Sequence, residues 1–134
     1  MHYRNWDDKI ILIAEDEKIN YLFLKAIFDK TGAEILWARD GQEAINLCRQ
    51  RDHIDIVLMD MKMPGVDGNE ATRQIKSFNP HITVIAQTSY SYRNDRGEAF
   101  QAGCDSFLSK PVKPMNLLAI VEKYINNGNA AVGE

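Results

Sequence analysis

Several things are scarce in this chain of 134 residues, and each scarcity removes a class of function. There are two cysteines, Cys48 and Cys104, with no C-x-x-C pair and no Cys/His ligand spacing around either. Thiol redox chemistry and zinc sites are therefore not expected, and both read as reduced packing residues of a cytosolic protein. The three histidines, His2, His53 and His81, are scattered and read as surface or junction residues. Sixteen basic residues against nineteen acidic ones give a net charge of -3, with no cluster of Lys and Arg. The basic stripe of a nucleic-acid binder is missing, so direct nucleic-acid binding is disfavoured. No stretch approaches the roughly 20 apolar residues of a membrane span, and "MHYRNWDDK" lacks a signal peptide's apolar core. This piece of chain is not expected to insert into a membrane. What remains, 45% hydrophobic and 26% charged, suits an ordinary globular domain of typical size.

What is present is an alternation of strand and helix patterns. "KIILIAEDE" holds a continuous apolar run, Ile10 to Ala14, that stops abruptly at Glu15, Asp16 and Glu17, as a strand buried on both faces would. From Asn20, the spacing of Leu22, Phe23, Ala26 and Ile27 predicts a helix with those residues on its inner face and Gly32 as its C-cap. "AEILWA" is a second strand, and Asp40 is the expected N-cap of a helix carrying Ala44, Leu47 and Cys48. "HIDIVLMD" is a third strand, "GNEATRQIKSF" a helix with Ala71, Ile75 and Phe78 on one face, and "HITVIAQTS" a fourth strand. "RNDRGEAFQA" is a weak, polar helix stopped by Gly103, and "DSFLSK" a fifth strand. Pro114 opens a last helix whose face is Leu117, Leu118, Val121, Tyr124 and Ile125. These elements give residues 1–8 as a linker, 9–126 as one domain and 127–134 as a frayed tail.

Strands alternating with helices imply βαβ units and a mostly parallel sheet covered on both faces. In such a sheet the active crevice lies beyond the carboxyl ends of the strands. Those ends carry Glu15 and Asp16, Asp60, Thr88 and Ser89, and Lys110. Three neighbouring carboxylates repel unless a cation sits between them, and an edge without His or Cys points to a hard ion such as Mg²⁺ rather than Zn²⁺. A carboxylate nucleophile, a metal, an ammonium and a hydroxyl together suit phosphoryl acceptance, where positioning and charge neutralisation supply most of the catalysis.

In order along the chain, "AEDE", "LMDMKMPGVDG", "AQTSY" and "AGCDSFLSKP" resemble the acidic pair, phosphoacceptor loop, Thr/Ser strand end and lysine strand of receiver domains of two-component response regulators. The resemblance spans about Lys9 to Ile125. It implies a flavodoxin-like doubly wound fold with strand order 2-1-3-4-5. It also implies that Asp60 takes a phosphoryl group from a phosphohistidine on a histidine kinase or histidine phosphotransfer domain. Asp16, Asp60 and the backbone carbonyl of Lys62 would hold Mg²⁺ (or Mn²⁺), with Glu15 acting through water, and Thr88 and Lys110 would hold the phosphoryl oxygens. Phe107 matches the switch aromatic and Pro111 a cis peptide, while Lys62, Ser89 and Tyr90 flank the site as tuning positions. The α4-β5-α5 face would change on phosphorylation and meet an effector or a second copy. The domain itself would have at most self-phosphorylating and autodephosphorylating activity.

Two departures stand out: Glu15 replaces a frequent Asp, and Phe107 lacks the hydroxyl of a tyrosine. A haloacid-dehalogenase-type phosphatase would need a second Asp where Lys62 stands, and a flavodoxin-like FMN carrier would not have the acidic loop "AEDEKIN" at strand one. "NWDDKIILIAEDE" and the "DR" of "YRNDRGEAF" resemble receivers of bacterial hybrid histidine kinases. A hybrid origin is the expectation, tethered to a membrane sensor in that case and cytoplasmic in either, and a stand-alone regulator is the alternative.

Overall fold

The computed structural model describes residues 4–88 and 93–133. The elements are β1 (Ile10–Ala14), α1 (Lys18–Ile27), β2 (Glu34–Ala38), α2 (Gly41–Gln50), β3 (Ile56–Asp60), α3 (Gly68–Phe78), β4 (Thr83–Thr88), α4 (Arg93–Ala102), β5 (Ser106–Ser109) and α5 (Pro114–Gly133). The strands form one parallel sheet in the order β2-β1-β3-β4-β5. This is the flavodoxin-like arrangement, with every crossover made by a helix.

Alternation along each strand builds two cores. Leu12, Ala14, Val57, Met59, Val84 and Ala86 face α2, α3 and α4, where Ile45, Cys48, Ile75 and Ala99 meet them. Ile11, Ile13, Ile56, Leu58 and Ile85 face α1 and α5, where Tyr21, Leu24, Phe28, Leu117, Val121 and Ile125 close over them. Each large side chain buried in this way contributes about 1.5–3 kcal/mol, so the inner strands are the rigid part of the molecule. Asp40 and Asp67 cap their helices through side-chain oxygens that accept from Glu43 N at 2.8 Å and Glu70 N at 2.9 Å.

The inner face of α1 differs from expectation. Tyr21, Leu24 and Phe28 are buried, whereas Leu22, Phe23 and Ala26 lie outward and Ile27 is half-buried. The helix is apolar on more than one side, so spacing alone admits either face. Tyr21 settles the rotation by stacking on Trp37 at 4.3 Å and 6°. Phe78, also expected inside, is partly exposed beneath the Arg49 guanidinium.

Gly32 does not cap α1, whose C-cap is Phe28. It turns the chain at φ +84, and a side chain there would collide with the Asp7 carboxylate. The segment expected as a linker thus passes close over the fold: Trp6 is buried against Phe28, its N–H donates to Thr31 O at 2.7 Å, and Arg4 pairs with Glu122 at 2.7 Å. The backbone of residues 127–133, expected to fray, continues α5. Once a helix is nucleated, each further residue adds a hydrogen bond.

Candidate phosphoacceptor site

Burial of the strands carries their last residues to one edge. All five residues of β3 are buried, so Asp60 ends a rigid strand and its side chain is only 3% exposed. Glu15 follows β1, extends its pairing through an N–H donated to Ala38 O at 2.9 Å, and is itself buried. The Trp37 indole donates to Glu15 O at 2.8 Å and holds that peptide in place. Asp16, one residue on, is exposed. Glu15, Asp16 and Asp60 each offer a carboxylate oxygen, all within 4.8 Å of one another.

Asp60 is oriented from both sides. Its Oδ1 accepts from Lys62 N at 3.0 Å, and its Oδ2 accepts from Lys110 Nζ at 3.0 Å. Lys110 is brought there by β5, where its own N–H donates to Thr88 O at 3.1 Å and its peptide to Pro111 is cis. Thr88 ends β4, is buried, and turns its hydroxyl toward Leu108 O through a long 3.4 Å contact. Phe107 is half-buried on the α4 side of β5. Ser89 and Tyr90, the other flanking positions, lie outside the described residues.

α3 begins directly on the loop that follows Asp60. A side chain at Gly68 would come within 2.5 Å of Asp60 O and 2.7 Å of Met61 Cα, so only glycine lets the helix start this close. Met61 and Met63 fill the space beneath the loop.

The electrostatics follow from crowding. Glu15 is raised from 4.5 to about 7, first by burial and then by the charges of Asp60 and Asp16, against the opposing pull of the Glu17 N–H and Lys110. One ammonium does not balance three carboxylates. Oxygen donors alone, without His or Cys, are what a hard divalent cation prefers. The donor set therefore fits such an ion.

One side chain here escaped the sequence reading. Gln87, in register with Asp60 on β4, is buried with its Nε2 unpartnered among the described residues, and it lines a cavity of about 200 Å³ together with Glu15, Phe23, Lys110, Pro111 and Val112. The signal was there, as the one amide in the apolar run "TVIAQT".

With this geometry established, residues 11–122 match the response regulator receiver domain family. The chain belongs to that family. It is 31% identical over 121 residues to the polar-differentiation response regulator DivK of Brucella ovis, covering 89% of this chain and 98% of that protein. The receiver domain of the sensor histidine kinase PA1611 from Pseudomonas aeruginosa PAO1, crystallised with magnesium coordinated in its active-site cleft, superposes with a TM-score of 0.81 at 30% identity. That match covers 88% of this chain and 98% of the other. The receiver domain of Saccharomyces cerevisiae Ssk1, co-crystallised with the histidine phosphotransfer protein Ypd1, gives 0.83 at 25% identity over 92% and 91% of the two chains. The molecule is thus a receiver domain of two-component signalling. Among its described residues no helix is long and apolar enough to cross a membrane.

Proposed function

We propose that Asp60 is a phosphoacceptor that takes a phosphoryl group from a phosphohistidine on a histidine kinase or histidine phosphotransfer domain. The observation that carries this reading is the placement of Asp60, buried at a strand end, within reach of two carboxylates and 3.0 Å from Lys110. An Asp60 oxygen attacks phosphorus while the P–N bond to the donor imidazole breaks, and the imidazole leaves with the electron pair and takes up a proton. Lys110 holds one phosphoryl oxygen through its ammonium, and Thr88 turns from Leu108 O to donate to another.

Asp16, Asp60 and the carbonyl of Lys62 are the groups that would hold a Mg²⁺ ion (or Mn²⁺), with Glu15 contributing through water. Bound there, the cation neutralises the crowded carboxylates and the incoming phosphoryl oxygens. Burial keeps the Glu15 carboxyl poised near neutrality, so it can meet that ion as a carboxylate at modest cost.

Ile19, Leu22 and Phe23 form an exposed apolar strip on α1, and Phe23 reaches the cavity that also holds Glu15 and Lys110. Exposed apolar patches mark interaction sites. This strip is where the phosphodonor domain docks, and the α4-β5-α5 face is what an effector or second copy reads. We place the domain in the cytoplasm of a bacterium and infer a receiver excised from a hybrid histidine kinase. That setting is supported by "NWDDKIILIAEDE" and by the likeness to the PA1611 receiver. A single-domain regulator is the second reading, favoured by the near-complete coverage of DivK. The reading frame of the parent gene decides between them.

Incubation with acetyl phosphate and Mg²⁺ should add one phosphoryl group, visible as a mass increase, and Asp60→Asn should abolish it. Undiminished labelling of that variant would overturn the assignment.

A further inference from the structure

Arg96, in the polar helix α4, makes two contacts that the acceptor site does not explain. Its guanidinium lies 4.5 Å over the Phe107 ring, and its Nη2 donates to Ser109 Oγ at 3.0 Å. Phe100, one turn further along α4, meets the same ring edge-on at 5.3 Å and 84°. Ser109 is in register with Thr88, and the next residue is Lys110, bonded to Asp60. One guanidinium therefore bridges the aromatic of β5 and the residue beside the lysine.

α4 has few other anchors on this side. Ala99 and Ala102 are its buried apolar residues among those described, and alanines bury little area. A planar guanidinium can stack on a ring and donate in its own plane at once, which an ammonium cannot do. Phe107 has no hydroxyl with which to make a polar anchor itself. We propose that Arg96 is a positioning residue, a latch that holds Phe107 and the end of β5 in the arrangement seen, with Thr88 turned to Leu108 O. It lets go when Thr88 and Phe107 turn toward a phosphorylated Asp60. The proposal rests on the phosphoacceptor reading of Asp60.

A contact made in only one of two conformers weakens whatever binds the other by the same factor. Arg96 and its hydrogen bond are exposed, so the cation–π contact and the hydrogen bond each count at the low end of their ranges and together correspond to about a three- to tenfold effect. The test is the affinity of the whole chain for beryllofluoride with Mg²⁺, a mimic of the phosphoryl group, measured by titration calorimetry alongside melting temperature. Arg96→Ala should bind about three- to tenfold more tightly while melting lower, and Ser109→Ala should move affinity the same way by less. Arg96→Lys, which keeps the charge and loses the plane, should lie nearer to Arg96→Ala than to the wild type. A residue that merely stabilised the fold would lower melting and leave affinity unmoved. Equal or weaker binding by Arg96→Ala with a binding-competent wild type would overturn the latch alone, and a wild-type-like Arg96→Lys would overturn its stacked geometry. A wild type that binds no beryllofluoride would overturn the phosphoacceptor reading and the latch with it.

Discussion

Both ends of the sheet carry charged and polar groups and use them in opposite ways. At the amino end, Asp105 Oδ2 accepts from Val84 N and Lys76 Nζ, both at 2.8 Å. Lys76 also donates to Ile82 O at 2.6 Å and Pro80 O at 3.3 Å, and Tyr124 donates to Asp105 O at 2.8 Å. Asp55 Oδ2 accepts from Ile10 N at 2.9 Å. Each of these charged side chains has a partner, and the result is a brace tying α3, β4, β5 and α5. At the carboxyl end, three carboxylates crowd within 4.8 Å while Lys110 pairs with Asp60 alone of them, and a buried amide has no partner for its Nε2 among the described residues. Satisfied polar groups stabilise, whereas like charges held together in a partly buried cluster cost stability and concentrate at functional sites.

Breaking the satisfied end should cost most. Asp105→Ala leaves the mostly buried Lys76 ammonium and Val84 N–H without their carboxylate, and is expected to lose about 2–4 kcal/mol in urea denaturation. Acetyl phosphate labelling of Asp60 should persist at temperatures where the variant stays folded. A loss below about 0.5 kcal/mol would mean the brace is no more than a surface ion pair.

The crowded end should behave with the opposite sign. Because the folded pKa of Glu15, about 7, lies above its ordinary 4.5, the folded state holds a proton that the unfolded chain has already released. Without divalent cations, stability from this group is therefore lost as pH rises from about 4.5 through about 7. Glu15→Gln should remove that decline and gain about 1–3 kcal/mol above neutrality, seen as a flatter profile of melting temperature against pH in chelator. Mg²⁺ should restore more stability to the wild type than to the variant. Parallel profiles for the two proteins would contradict the crowding argument.

The smallest expected effect concerns Gln87. Replacing it by Leu removes an unsatisfied buried donor at nearly constant volume and should stabilise by about 1 kcal/mol, with labelling of Asp60 retained. A destabilised Gln87→Leu would show that the amide has a partner in solution.

Much of this was legible from residue order. Apolar runs ending in Glu15, Asp60, Thr88 and Lys110 announce a parallel sheet with a chemical edge, because strands buried on both faces stay mostly apolar until they leave the core. Asp40 read correctly as a cap because capping is a local bond within one turn. The rotation of α1 did not, since a helix apolar on two sides is turned by its neighbours, here Trp37. Trp6 looked like linker because nothing local shows that Phe28 and Thr31 wait beneath it. Arg96 drew attention as half of a "DR" pair, but its place over Phe107 depends on how α4 docks against β5.

The sequence by itself determined which groups stand at strand ends, since continuous apolar runs and their abrupt stop are properties of the chain in order. Only the tertiary structure decided how far apart those groups lie and what charge state they prefer. Distance and desolvation are set by strands β1, β3, β4 and β5 meeting side by side, and it is that meeting, long-range in sequence, that crowds three carboxylates within 4.8 Å and raises Glu15 to about 7.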